Sequence, residues 1–152
     1  MELEDVFRSY QRPVFAYFLR VVGNRADAEE LTQETFVRAC ASALRFRGDS
    51  SVKTWIFGIA RRVLLEASRA GLFERRSPPP DDAAAVQRDP DERMDMERAF
   101  AALGVTDREA LMLVDVLGFE PKEAAVTVGT TAETFRVRLH RARARFREVY
   151  QR

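Results

Sequence analysis

The stretch Ser77-Pro78-Pro79-Pro80-Asp81-Asp82-Ala83-Ala84-Ala85-Val86-Gln87-Arg88-Asp89-Pro90 most constrains what this chain can become, because it has no amphipathic period and interrupts two regions that have one. Clustered prolines fix φ and withhold amide donors, and the acidic and small residues around them offer no apolar face to bury. The segment reads as a flexible, acidic, proline-rich linker over 74–91, with one domain at 1–73 and another at 92–152. No repeat of domain-building length relates the halves, so they are different modules.

In the first half, apolar residues recur at three- and four-residue steps and nowhere alternate as a strand would, which predicts three helices. The first carries Phe7, Tyr10, Val14, Phe18 and Val21 on one stripe. Pro13 kinks it or marks a restart, and Gly23-Asn24 ends it. The second, from about Ala26 to Leu44, sets Ala28, Leu31, Thr35, Ala39 and Ala43 against an opposite face of Asp27, Glu30, Glu34 and Arg38. The third follows a loop at 46–51, turns Val52, Ile56, Ile59, Val63 and Ala67 inward, and stops near Gly71.

The second half predicts a helix from about Asp91 to Leu103. Another starts at Thr106, where Thr106-Asp107-Arg108-Glu109 has the form of a capping box, and ends at Gly118. A short helix then opens at Pro121, Gly129 breaks it, and a long arginine-rich helix runs from about Ala132 toward Tyr150. Short helix, glycine turn, long basic helix is the outline of a helix-turn-helix. At 100° per residue from Arg136, the apolar positions Phe135, Leu139, Ala142, Phe146 and Val149 of that last helix fall between roughly 220° and 300°. Arg136, Val137, His140, Arg141 and Arg147 fall between roughly 0° and 140°, on the other side.

Charge is distributed more tellingly than it is totalled, since 25 Lys+Arg meet 24 Asp+Glu. Basic residues concentrate in 45–76 and again in 133–152, and acidic residues dominate 77–98. Two basic surfaces suit two contacts with a polyanion, and a near-neutral sum limits indiscriminate binding; the same pattern also fits two solvated helix faces. One cysteine, Cys40, and one histidine, His140, cannot make an internal disulfide or a Cys/His zinc site. A His-assisted nucleophile is equally hard to build, so an enzyme is not expected, nor a cofactor. Cys40 reads as a small, partly buried helix residue, and His140 as a DNA contact or a solvated side chain. No apolar run spans a bilayer and the amino terminus has no signal-peptide pattern, so no membrane insertion and a cytoplasmic location are expected.

Four segments together resemble the bacterial sigma-70-type factors of the extracytoplasmic-function (ECF) group: Ala26-Asp27-Ala28-Glu29-Glu30-Leu31-Thr32-Gln33-Glu34-Thr35-Phe36, Phe46-Arg47-Gly48-Asp49-Ser50, Thr54-Trp55-Ile56-Phe57-Gly58-Ile59-Ala60-Arg61 and Arg138-Leu139-His140-Arg141-Ala142-Arg143. The resemblance implies an all-α protein of two small helical domains, a three-helix sigma-2 and a helix-turn-helix sigma-4. It implies a promoter-specificity subunit that binds core RNA polymerase, at the β′ clamp helices and the β flap, and initiates transcription of a stress- or signal-responsive regulon. By the same resemblance Asp27, Glu30, Gln33, Glu34 and Phe36 face the polymerase. Phe46, Arg47, Ser50, Ser51, Lys53, Arg61, Arg62 and Arg69 meet the minus-ten element. Thr131, Thr134, Arg136, Val137, His140, Arg141 and Arg143 meet the minus-35 element, and Trp55 has a core or platform role. An anti-sigma factor is the other implied partner. The chain departs from the family's usual pattern at Arg62, at Ala124, at Thr130 and at Val137. Two rival classes are a DNA-binding regulator whose N-terminal half senses or dimerises, and an inactive sigma mimic. Polymerase binding separates the first from a sigma factor, and promoter opening the second.

Overall fold

The computed structural model describes residues 2–74 and 90–151, with side chains in the second span from Asp95 onward. Most of the proline-rich segment read as a linker lies outside the described residues. The described residues form an all-α structure.

In the N-terminal half, α1 (Leu3–Val22), α2 (Arg25–Ser42) and α3 (Val52–Arg69) pack around Val14, Phe18, Val21, Ala28, Ala39, Ile56 and Val63. Gly23 closes α1 at φ 77, a left-handed conformation that a β-carbon would strain, and its N–H donates to the Leu19 carbonyl. Asn24 then caps α2, its Oδ1 accepting from the Asp27 N–H at 3.0 Å. Helix α1 runs through Pro13 without a restart. The carbonyl four residues earlier, on Ser9, loses its amide partner, but Ser9 is exposed and water can replace it. A single 3₁₀ turn, Ala43–Arg45, ends the second helical run. Cys40 departs from expectation: it is exposed, because it lies one step past the buried Ala39 and turns outward.

In the C-terminal half, α4 (Pro90–Ala101), α5 (Val105–Leu111), α6 (Pro121–Val128) and α7 (Ala132–Tyr150) surround Phe100, Leu113, Ala125, Phe135 and Leu139. Between α5 and α6 the chain makes a π-helical turn, Met112–Val116, in which the Leu117 N–H reaches back five residues to the Met112 carbonyl at 2.8 Å. Gly118, at φ 76, then reverses the chain and sends Phe119 inward. The expected capping box at Thr106 does not form. Helix α5 begins one residue earlier, with Gly104 at its N-cap, and Glu109 is buried against the other half of the molecule.

The two halves share one continuous apolar core. Phe57 of α3 is the hinge of a three-ring stack, 5.7 Å from Tyr17 of α1 and 5.3 Å from Phe119, both pairs edge to face. Arg20 of α1 lies 5.1 Å from the centre of the Phe100 ring, and Arg108 donates from Nη1 to the Val21 carbonyl at 2.9 Å. Beside these contacts the buried Tyr17 hydroxyl donates to Glu109 Oε2 at 2.5 Å, and Arg61 Nε lies 3.3 Å from Glu109 Oε1. Burial, followed by the neighbouring Glu109 charge, raises the Tyr17 phenol well above its ordinary range, with Arg61 opposing. A group whose folded pKa is raised contributes stability that is complete below the unfolded value, about 10, and is lost as pH climbs toward the folded one. The stability difference between wild type and Tyr17→Phe should therefore be constant from pH 8 to about 9.5 and shrink above about 10. Urea melts across that range test it; a difference independent of pH to 11 would contradict this account.

Candidate nucleic-acid interface

Helix α7 is built to present one face. Thr131 caps it, Oγ1 accepting from the Thr134 N–H at 3.1 Å and donating to the Thr134 hydroxyl at 2.9 Å. The inward stripe is as the 3.6-residue period predicts, with Phe135, Leu139 and Ala142 buried and Phe146 and Val149 half-buried. On the opposite side Arg136, Val137, His140 and Arg141 are exposed. The preceding helix α6 ends at Gly129, φ 75, which provides the sharp turn between the two.

Arg143 does not join that face. Its Nε and Nη2 donate to Asp115 Oδ2 and Oδ1 at 3.0 and 2.6 Å, a two-pronged pair to the π turn that raises its already high basicity. The side chain orients α7 on its own domain rather than reaching outward. Two arginines that the sequence reading did not single out, Arg138 and Arg145, line an open groove of about 460 Å³ with Asp107, Thr134, Val137 and Arg141. They fall at roughly 200° and 180° on the helical wheel, outside the arc that the apolar stripe suggested. Arg145 donates to Asp107 at 2.7 Å.

The loop at 46–51 and α3 form a second basic region. Phe46 rests on Trp55 with ring centres 5.0 Å apart, so Trp55 is a platform for the loop. The Ser51 hydroxyl caps α3 by accepting from the Thr54 N–H at 3.1 Å, and the exposed Ser50 hydroxyl donates to the Ser51 carbonyl at 3.3 Å. Arg47, Arg62 and Arg69 are exposed. Lys53 and Arg61 are not: Lys53 Nζ sits 4.3 Å from the centre of the Phe119 ring and 3.8 Å from Glu123, and Arg61 is held by Glu109. The minus-ten candidates thus split between a solvent-facing group and a pair turned toward the C-terminal half.

On α2 the expected acidic stripe is present, with Glu30 and Glu34 exposed and Asp27 half-buried, and Gln33 is exposed beside it. Glu34 pairs with Arg38 at 2.9 Å, and Arg38 continues to Glu66 of α3, whose carboxyl is held below its ordinary range by that hydrogen bond. Phe36 departs from its expected place on the polymerase-facing surface. It is only 8% exposed and packs edge to face on Phe7 at 5.1 Å, because the face that α2 buries is wide enough to take it in beside Thr35.

Among the described residues no helix is long and apolar enough to cross a membrane. Residues 6–71 match the family described as Sigma-70 region 2, and residues 93–146 match Sigma-70, region 4. The ECF RNA polymerase sigma factor SigC of Mycobacterium tuberculosis is 32% identical, over 93% of this chain and 79% of its own length. The ECF RNA polymerase sigma factor SigE of Mycolicibacterium smegmatis is 29% identical over 95% of this chain, which spans 60% of that relative. In the co-crystal structure of the sigma factor RpoE with the anti-sigma factor NepR from Bartonella quintana, one chain has the same fold, with a TM-score of 0.80 over 97% of this chain and 96% of that one at 23% identity. Two helical units in this order, one carrying a capped basic helix behind a glycine turn, matched along nearly the whole chain by SigC, mean that the chain belongs to the ECF sigma factors of the sigma-70 family, which are specificity factors for transcription initiation and not enzymes.

Proposed function

We propose that this chain is a promoter-specificity subunit that acts in the cytoplasm, binding core RNA polymerase through α2 and promoter DNA through α7 and the loop leading into α3. The observation that carries this is the two-sided character of α7. A buried apolar stripe holds the helix to its domain while Arg136, Val137, His140 and Arg141 stand exposed on the other face, the arrangement a helix needs to enter a major groove. Arg47 beside Phe46, and Arg62 and Arg69 farther along α3, supply backbone-neutralising charge, and the Phe46 loop is where an unstacked base could be received. The similar RpoE chain is bound in its crystal by the anti-sigma factor NepR, and a partner of that kind fits this chain.

Run-off transcription with purified bacterial core polymerase and a pooled promoter library tests the reading. Transcripts that start downstream of a shared pair of elements, only when this protein is added, are the expected result. Core binding without transcripts would point to an inactive mimic, and DNA binding without core binding to a conventional regulator.

The acidic stripe carries its own prediction. Glu30→Lys combined with Glu34→Lys should weaken association with core polymerase at least tenfold and leave minus-35 duplex binding unchanged. Loss of the exposed Glu34–Arg38 pair accounts for only a few tenths of a kcal/mol of helix stability, so a folding defect would not explain such a loss. Unchanged association would make the stripe an ordinary solvated face.

A further inference from the structure

Gly58 is the one glycine of this chain that its own backbone does not explain. Of the seven, five have positive φ and Gly104 stands at an N-cap, a place that suits glycine. Gly58 lies in the interior of α3, where it weakens the helix relative to alanine because it has more conformational freedom to lose. Packing does not require it either: beyond its chain neighbours and its own helix backbone, a β-carbon there would meet nothing among the described residues within 4 Å. At 100° per residue from Gly58, the buried residues of α3 fall between roughly 100° and 260°, while Thr54, Arg62, Leu65 and Arg69 fall within roughly 40° of it. The glycine is therefore at the middle of the outward face, with two exposed arginines beyond it. Trp55, at roughly 60°, carries the Phe46 ring of the loop. Glu66, the acid of α3, lies at roughly 80° and is already matched by Arg38.

We propose that Gly58 is a contact position for the non-template strand, a bare stretch of helix over which that strand crosses α3 on its way from the Phe46 loop to Arg62. The inference rests on the minus-ten reading of the loop and of Arg62 and Arg69. Close approach of a ligand to backbone is one of the few reasons for a glycine at such a place. A strand crossing there packs a sugar or a base edge on the glycine Cα, where any side chain would hold it off by the width of a methyl group or more. Arg62 follows about 6 Å farther along the helix axis, and Arg69 about 10 Å beyond that. The two guanidiniums thus continue from the point of closest approach and neutralise phosphates, while the bare patch fixes how near the strand lies. Cations with no unmatched acid of α3 beside them select a polyanion as the occupant.

The test uses holoenzyme assembled from core polymerase and the full chain, with two fluorescence-anisotropy probes from a promoter found by run-off transcription. One is a labelled single-stranded non-template minus-ten oligonucleotide and the other a labelled minus-35 duplex. Wild type is compared with Gly58→Ala, Gly58→Leu and Arg62→Ala, and circular dichroism melts of the free chains report stability. Gly58→Ala should raise Tm by about 1–4 °C, since alanine has less freedom to lose and meets no clash. The same variant should bind the minus-ten strand about fivefold more weakly, the low end of what one extra methyl group costs in a packed contact. Gly58→Leu, still a good helix former, should bind it more weakly again. Duplex affinity and core association should not change. A gain in stability joined to a loss of strand affinity is a result that a merely structural glycine would not give. A fall in Tm for Gly58→Ala would mean that the fold itself needs the glycine, and would overturn the proposal. Loss of core association would put a polymerase surface on the patch in place of DNA, with the same consequence. If Arg62→Ala weakens strand binding and neither Gly58 variant does, the close approach is wrong and the minus-ten reading stands. If holoenzyme shows no selection for the minus-ten strand over a scrambled one, the minus-ten reading fails, and this inference with it.

Discussion

Replacing Arg136 or Arg141 with alanine should lower minus-35-dependent run-off transcription about fivefold or more while core association stays at the wild-type level. Both side chains are exposed on the face of α7 opposite Phe135, Leu139 and Ala142, so truncation leaves no hole in the core. An arginine that meets guanine with two hydrogen bonds contributes about 1–3 kcal/mol of discrimination, which corresponds to roughly five- to 150-fold in binding. A promoter scan with each variant separates two roles. Loss at one base position marks a base contact, whereas uniform loss across sequences, with a shallower dependence on salt, marks a phosphate contact. Arg143→Ala should behave differently, because its guanidinium is already engaged by Asp115 and the change acts on helix placement. Equal loss of core binding in a folded Arg136 or Arg141 variant would refute the assignment of this face to DNA.

The largest stability effect is expected one residue before Arg136. Phe135 is 0% exposed and fastens the first turns of α7 to the C-terminal core. Phe135→Ala should cost about 3–5 kcal/mol, since the transfer free energy of the ring is lost and the surrounding side chains fill the cavity only in part. Val137, two residues on, is 47% exposed, and Val137→Ala should change stability by no more than about 0.5 kcal/mol. Urea unfolding followed by circular dichroism measures both. A cost below about 1 kcal/mol for Phe135→Ala would mean that α7 is not anchored through that ring. The pair also separates folding from recognition on one helix, because Val137→Ala can alter promoter preference with its fold intact.

Much of this was legible along the chain, and particular helices show why. The stripe through Phe135, Leu139 and Ala142 is buried as its spacing implies, and Thr131, Gly129 and Gly23 sit at the helix ends where their chemistry suits them. A helix repeats every 3.6 residues, and its caps are made by residues within one turn, so these features depend on neighbours in sequence. Thr106 and Glu109 are the instructive failure. Their spacing satisfies a capping box, but Glu109 finds a phenol 92 residues away and a guanidinium 48 residues away, partners that a local pattern cannot contain. Buried beside them, a carboxylate gains more than it would at an exposed backbone amide, so the tertiary partners win.

Sequence alone therefore determined the helices, the division into two modules, the basic face of α7 and, through four motifs in order, the family. Only the tertiary structure decided which charged side chains remain available: it turned Arg143 to Asp115, Arg61 to Glu109 and Phe36 into the core, and left Cys40 outside. The reason is one of range. Periodicity states which face of a helix is apolar, whereas the partner of a charge depends on which other helix docks there, and that docking is set by the complementary shapes of Tyr17, Phe57 and Phe119 across the whole molecule.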